Sequence, residues 1–144
     1  MNGVILIADD REDDRIELQR LLRKAAIANP IKMLDDGDEV IDYLGRDLSL
    51  SSLQVSAAVV LFLDLKMPRR NGFEVLKWIQ AHPPATKLFT FVISDLHSVD
   101  SVSQAYQLGA DSFFFKPINL PELRSSLLSF PGPWSFGKPS LAAI

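Results

Sequence analysis

Four short stretches of the chain are apolar without interruption: Val4 to Ala8, Ala57 to Leu63, Leu88 to Ile93 and Phe113 to Phe115. A strand with one wet face alternates apolar and polar residues, so unbroken runs rich in branched and aromatic side chains imply strands covered on both faces, as in a parallel sheet. Parallel strands need long crossovers, and the segments between the runs supply them. Ile16, Leu18, Leu21, Leu22 and Ala25 recur at helical spacing, as do Val40, Ile41 and Leu44, and then Phe73, Val75, Leu76 and Ile79. Val99, Val102, Ala105, Tyr106 and Leu108 follow the third strong run; Leu120, Leu123, Leu127 and Leu128 follow the last. Ile31 to Leu34 is a weaker strand candidate. Strand and helix thus alternate five times. Right-handed crossovers then make a doubly wound α/β fold around a five-stranded parallel sheet the economical architecture, with ligands expected at the carboxyl ends of the strands.

Local punctuation agrees with these periods. Asn71-Gly72 marks a turn or helix start, Gly109 can end a helix, and Pro121 sits where a first helical turn can spare its amide hydrogen. At 144 residues the chain has room for one compact core. The division expected is a domain over 1–130 and a tail over 131–144. Gly45 to Gln54 reads as an enlarged connection between the second helix and third strand, and the tail shows no helical or strand period. Both fit mobile surface segments. Alternatively Leu48, Leu50, Leu53, Trp134 and Phe136 cover a groove or bind a partner.

Eighteen acidic against fifteen basic side chains give a formal charge of -3, which argues against a general nucleic-acid binder. The absence of cysteine excludes disulfides, a thiolate nucleophile and cysteine-bound zinc, and two histidines are too few for a histidine-rich metal site. The apolar start is too short to span a bilayer and lacks the basic residues of a secretory signal. A soluble, cytoplasmic protein without membrane insertion is the expectation.

Asp9 and Asp10 directly follow the first strand, and Asp64 directly follows the second strong one. If the strand ends converge, these carboxylates share one pocket, where mutual repulsion favours protonation unless a cation neutralises them. Magnesium, which prefers oxygen ligands, suits that task. The plainer reading is three surface aspartates that end strands or cap helices. Ser94 and Lys116 fall at the ends of the next strands, however, and bring a hydroxyl and an ammonium to the same predicted edge. Together they suit phosphoryl oxygens: magnesium and Lys116 offset charge, Ser94 donates a hydrogen bond, and the Asp64 carboxylate is placed to attack phosphorus.

The ordered set Ile7-Ala8-Asp9-Asp10, Leu63-Asp64-Leu65-Lys66-Met67-Pro68, Asn71-Gly72-Phe73-Glu74-Val75-Leu76, Ser94 and Lys116-Pro117 resembles the bacterial response-regulator receiver family from about Val4 to Leu128. The resemblance implies a flavodoxin-like receiver fold and a domain that catalyses its own aspartyl phosphorylation and dephosphorylation, yet acts mainly as a signalling switch. It implies that Asp64 accepts phosphate from a phosphohistidine on a sensor histidine kinase or phosphotransfer protein. Asp10 is then the principal acidic ligand of Mg2+, Asp9 assists through the hydrated shell, and the Lys66 carbonyl completes the protein ligands. Ser94 is the switch hydroxyl, Lys116 contacts the phosphoryl group, and Phe113 is the rotating aromatic; an ordinary core aromatic is the alternative for Phe113. The family's cis peptide falls at Lys116-Pro117. Phosphorylation would reshape the surface of the fourth helix, fifth strand and fifth helix and alter binding of a downstream protein or of a second copy in a homodimer.

Asp95 departs from the small residue usual after the switch hydroxyl; it either disfavours the phosphoryl donor or points away. The insertion after Gly45 and the tail resemble single-domain regulators paired with phytochrome-type sensor kinases. Two other functions fit the same residues less well. One is a phosphorylation-independent interaction module of receiver shape; the other is a small Mg-dependent phosphohydrolase, for which no substrate-recognition cap is evident.

Overall fold

The computed structural model describes residues 3–50, 58–84, 87–130 and 134, and for 47–50 only the helical backbone. Five strands alternate with five helices: β1 (Val4–Ala8), α1 (Glu12–Lys24), β2 (Ile31–Leu34), α2 (Gly37–Leu50), β3 (Val59–Asp64), α3 (Gly72–Ala81), β4 (Leu88–Ser94), α4 (Val99–Gln107), β5 (Ser112–Phe115) and α5 (Leu120–Ser129). The sheet order is β2-β1-β3-β4-β5, and every neighbouring pair is parallel. This is the doubly wound α/β architecture that the apolar runs predict. All six residues of β3, the central strand, are buried, as an unbroken apolar run requires.

Side-chain alternation divides the core in two. Leu6, Ala8, Leu61, Leu63 and Val92 meet Val40 and Leu44 of α2, Val75 and Leu76 of α3 and Ala105 of α4 on one face. Ile5, Ile7, Val60, Phe62, Phe91, Ile93 and Phe114 meet Leu18, Leu21 and Leu22 of α1 and Leu123 and Leu127 of α5 on the other. Each such fully buried aliphatic or phenyl side chain contributes about 1.5–3 kcal/mol. The two layers hold the sheet rigid between them, so the strand ends present a fixed edge.

Helix starts are set by short polar caps. Asn71 accepts from the Glu74 amide at 2.9 Å while the Glu74 carboxylate accepts from the Asn71 amide at 3.0 Å, a reciprocal capping box for α3. Ser98 caps α4, and Asn119 caps α5 with Pro121 in its first turn. Beyond α4, Gly109 takes φ +100°, and the Ala110 amide returns to the Ala105 carbonyl at 3.0 Å.

Several expectations are corrected. Gly45 to Leu50 continue α2 instead of opening a loop, because nothing there forbids helix: an interior glycine costs only about 1 kcal/mol, and Asp42 and Arg46 pair at 3.8 Å one turn apart. The rest of that connection, including Leu53, lies outside the described residues, as do Phe136 and the side chains of Leu48 and Leu50. The fourth helix-period segment also overstates its buried face. Only Ala105 of α4 is buried, whereas Val99 and Tyr106 face outward and Leu108 falls in the helix's C-cap. Ile16 and Leu128 are likewise exposed. Trp134 is half-buried against the α1/α5 side, with its indole N–H donating to the Phe130 carbonyl at 2.8 Å and its ring stacked 6.1 Å from that of Phe91. It therefore covers part of the domain's own core.

Candidate functional site

Strand register brings the polar residues to one edge. Ala8 pairs with Leu63, so Asp9 emerges beside Asp64; Asp64 pairs with Ile93, one residue before Ser94; and Ser94 pairs with Phe115, one residue before Lys116. The Lys116 amide donates to the Ser94 carbonyl at 2.8 Å, which extends the ladder into the site. The Lys116-Pro117 peptide is cis.

One carboxylate oxygen from each of Asp9, Asp10 and Asp64 lies within 4.8 Å of the others. Asp9 and Asp64 are buried and Asp10 is exposed. Lys116 Nζ stands 2.7 Å from Asp9 Oδ2, 2.8 Å from Asp14 Oδ2 and 3.6 Å from Asp64 Oδ2. Burial, and then the neighbouring charge of Asp9, push the Asp64 carboxyl up to about 7 against the partial relief that Lys116 and the Lys66 amide provide. Burial alone would lower the Lys116 ammonium, but hydrogen bonds to Asp14 and Asp9 and the charge of Asp64 outweigh it and raise the group above its ordinary value. A crowded carboxylate pocket of this kind favours an added cation. Its all-oxygen donor set fits a hard divalent ion: Asp9, Asp10 and Asp64 are the side chains that would hold it.

The loop after β3 is held from several sides. The Lys66 amide points at Asp64 Oδ1 from 3.4 Å, and the Gly72 amide donates to the Leu65 carbonyl at 3.0 Å. Lys66 Nζ lies 3.6 Å from Asp95 Oδ1, both side chains more than half exposed. Asp95 therefore faces a cation at the rim of the site. Ser94 is fully buried, and its hydroxyl oxygen accepts from the Leu96 amide at 2.9 Å, which leaves the O–H proton to donate elsewhere. Phe113 is half-buried on the α4 side of the sheet, its ring 5.2 Å from that of Phe115, which in turn stacks on His97 at 4.6 Å.

The structure thus brings Asp9, Asp10, Asp64 and Lys116 into one cluster, with Ser94 and Lys66 on the same edge. It also reveals two residues that the sequence reading passed over. Asp14 reaches Lys116 from the first turn of α1, and the Arg15 guanidinium donates to the Asp9 carbonyl. The only signal for Asp14 was its place in the acidic run Glu12-Asp13-Asp14, which equally suits the positive end of a helix.

The model of the response regulator receiver domain matches residues 5–128, and the chain belongs to that family. It is a receiver domain of the two-component type, with its acidic cluster at the strand ends. It is 24% identical over 131 residues to response regulator Rcp1 of Synechocystis sp., covering 91% of this chain and 87% of Rcp1. The Mn(2+)-bound form of Rcp1 superposes with a TM-score of 0.66 at 24% identity, over 90% of Rcp1 and 88% of this chain. The bacteriophytochrome response regulator RtBRR superposes at 0.78 and 22% identity over 99% of this chain and 87% of its own, and the BeF3-activated DrrB receiver domain at 0.68 and 21% over 90% and 97%. No helix among the described residues is long and apolar enough to cross a membrane.

Proposed function

We propose that this chain is a response-regulator receiver over 1–130, followed by a segment over 131–144, that takes a phosphoryl group onto Asp64 from a sensor histidine kinase or phosphotransfer protein. The observation that carries this reading is the convergence of three carboxylates from two strand ends on one another, with the Lys116 ammonium beside Asp9 and Asp64. An Asp64 oxygen attacks phosphorus; the phosphorus–nitrogen bond of the phosphohistidine breaks, and the electron pair leaves with the imidazole. Asp9, Asp10, Asp64 and the Lys66 carbonyl are the proposed ligands of Mg2+, whose charge would offset that of the carboxylates and phosphoryl oxygens. Lys116 and Ser94 contact the transferred group as cation and hydroxyl donor. As Ser94 turns toward it, Phe113 moves into the vacated space and the α4-β5-α5 face changes its affinity for a downstream protein or a second copy of the chain. The likeness to the bacteriophytochrome response regulator RtBRR supports a phytochrome-type kinase as donor, and a cytoplasmic setting is part of the same proposal.

Intact-mass spectrometry with magnesium and a purified phosphohistidine donor tests this. One phosphate added to the wild type and none to Asp64→Asn is the expected result. Failure of the wild type across several donors active on other receivers would shift the reading to a phosphorylation-independent interaction module.

A further inference from the structure

Lys116 is shared with a residue that the phosphoacceptor reading leaves without a task. Asp14 Oδ2 stands 2.8 Å from Lys116 Nζ, as close as Asp9 at 2.7 Å and well inside the 3.6 Å to Asp64. An ammonium has three N–H bonds to give. Two of them reach Asp14 and Asp9, while the Asp64 oxygen lies beyond hydrogen-bond reach. Asp14 can follow the ammonium only as far as its own short side chain turns, because the backbone of α1 is anchored in the core through Leu18, Leu21 and Leu22. Lys116 turning toward a phosphoryl group on Asp64 therefore draws away from Asp14. Acidic residues in a first helical turn also complement the helix dipole, but Glu12 and Asp13 share that turn, are exposed, and make no described contact with Lys116.

We infer that Asp14 is a positioning residue that competes with the phosphoryl group for Lys116, holding the ammonium back in the resting protein and weakening the site's hold on phosphate. The inference rests on the phosphoacceptor reading above. It concerns how readily the resting state is left.

The test is the affinity for beryllium trifluoride, a tetrahedral analogue of the aspartyl phosphate, titrated at saturating Mg2+ and followed by amide NMR. Asp14→Asn should bind the analogue about two- to fivefold more tightly than the wild type, the scale of one partly exposed ion pair. Asp14→Glu, which keeps the charge, should stay near the wild type, and Asp13→Asn, which removes the same charge without touching Lys116, should not gain. Asp14→Ser is a second neutral variant in case the amide finds a partner of its own. Equal or weaker binding by both neutral variants would overturn the inference, as would the same gain in Asp13→Asn, which would assign it to general charge. A wild type that takes up no analogue would defeat the phosphoacceptor reading and this inference with it; a wild type that binds, beside unaltered neutral variants, would defeat the inference alone.

Discussion

Gly72 lies against the Asp64 carbonyl so closely that a Cβ on residue 72 would sit 2.6 Å from that oxygen and 2.8 Å from the Leu65 Cα. The first residue of α3 is thus pressed onto the peptide that follows β3, and the two nearest atoms belong to the backbone, which yields less readily than a side chain. Helix position and carboxylate direction are linked through this contact. Gly72→Ala should lose about 1–3 kcal/mol in urea unfolding, the range for overpacking a tight site. It should also lose part of the stabilisation that Mg2+ confers, because the Asp64-Leu65 peptide at the end of β3 must move. Unfolding within experimental error of the wild type would show that the loop relaxes freely.

The carboxylate cluster should make the metal-free protein weaker as pH rises. Asp64 is raised to about 7 from an ordinary 3.8, so the folded state holds this proton more tightly than the unfolded chain does. Its contribution is fully present below about pH 4 and is lost as pH climbs toward 7, with a ceiling of about 4 kcal/mol at higher pH. Asp64→Asn cannot ionise. In the presence of a chelator it should exceed the wild type by about 2 kcal/mol at pH 8, with the gap shrinking toward pH 5. Denaturant curves for both proteins across that range decide the matter, and a gap independent of pH would count against it. Added Mg2+ at pH 8 should raise the melting temperature of the wild type and leave Asp64→Asn nearly unmoved.

What was legible in the sequence follows from the same physics. Val59 to Leu63 reads as a central strand because burial on both faces leaves no polar residue in it, and Asp9, Asp64, Ser94 and Lys116 are conspicuous because each is polar at the end of such a run. Parallel register does the rest, since strands of one direction put all their carboxyl ends on one edge. Contacts between elements with no shared periodicity were not legible. Asp14 reaches Lys116 across 102 residues of chain. Gly37, which ordinary helix propensity would disfavour, is required because a Cβ there would lie 2.1 Å from the Arg70 carbonyl oxygen. The outward turn of Val99 and Tyr106 likewise depends on how α4 sits on the sheet, which its own spacing does not fix.

Trp134 supplies stability from beyond the last helix. Its ring lies over Phe91 and beside the α1/α5 core, and its indole N–H is satisfied by Phe130. Trp134→Ala should cost about 2 kcal/mol, roughly half the loss for a fully buried aromatic. Trp134→Phe should recover most of the apolar part but not the hydrogen bond. Thermal melts of the two variants would show the ordering, and a Trp134→Ala melt equal to that of the wild type would mean that the ring adds nothing in solution.

Asp95 and Lys66 face each other at 3.6 Å across the rim, and both are well exposed. Such a pair contributes less than about 1 kcal/mol, so Asp95→Ala should leave stability within about 0.5 kcal/mol of the wild type. Its effect on chemistry should be larger. Removing the carboxylate takes away a charge that repels an anionic donor and frees the Lys66 ammonium to attract it, so the initial rate of Asp64 labelling by acetyl phosphate should rise about two- to fivefold at low ionic strength. Lys66→Ala should slow it. Both effects should fade in about 1 M salt, where charges separated by more than about 3 Å are screened. Labelling followed by intact mass at the two salt levels separates this from a steric role, which salt would not erase; an unchanged rate for Asp95→Ala at low salt would show that Lys66 already neutralises the carboxylate.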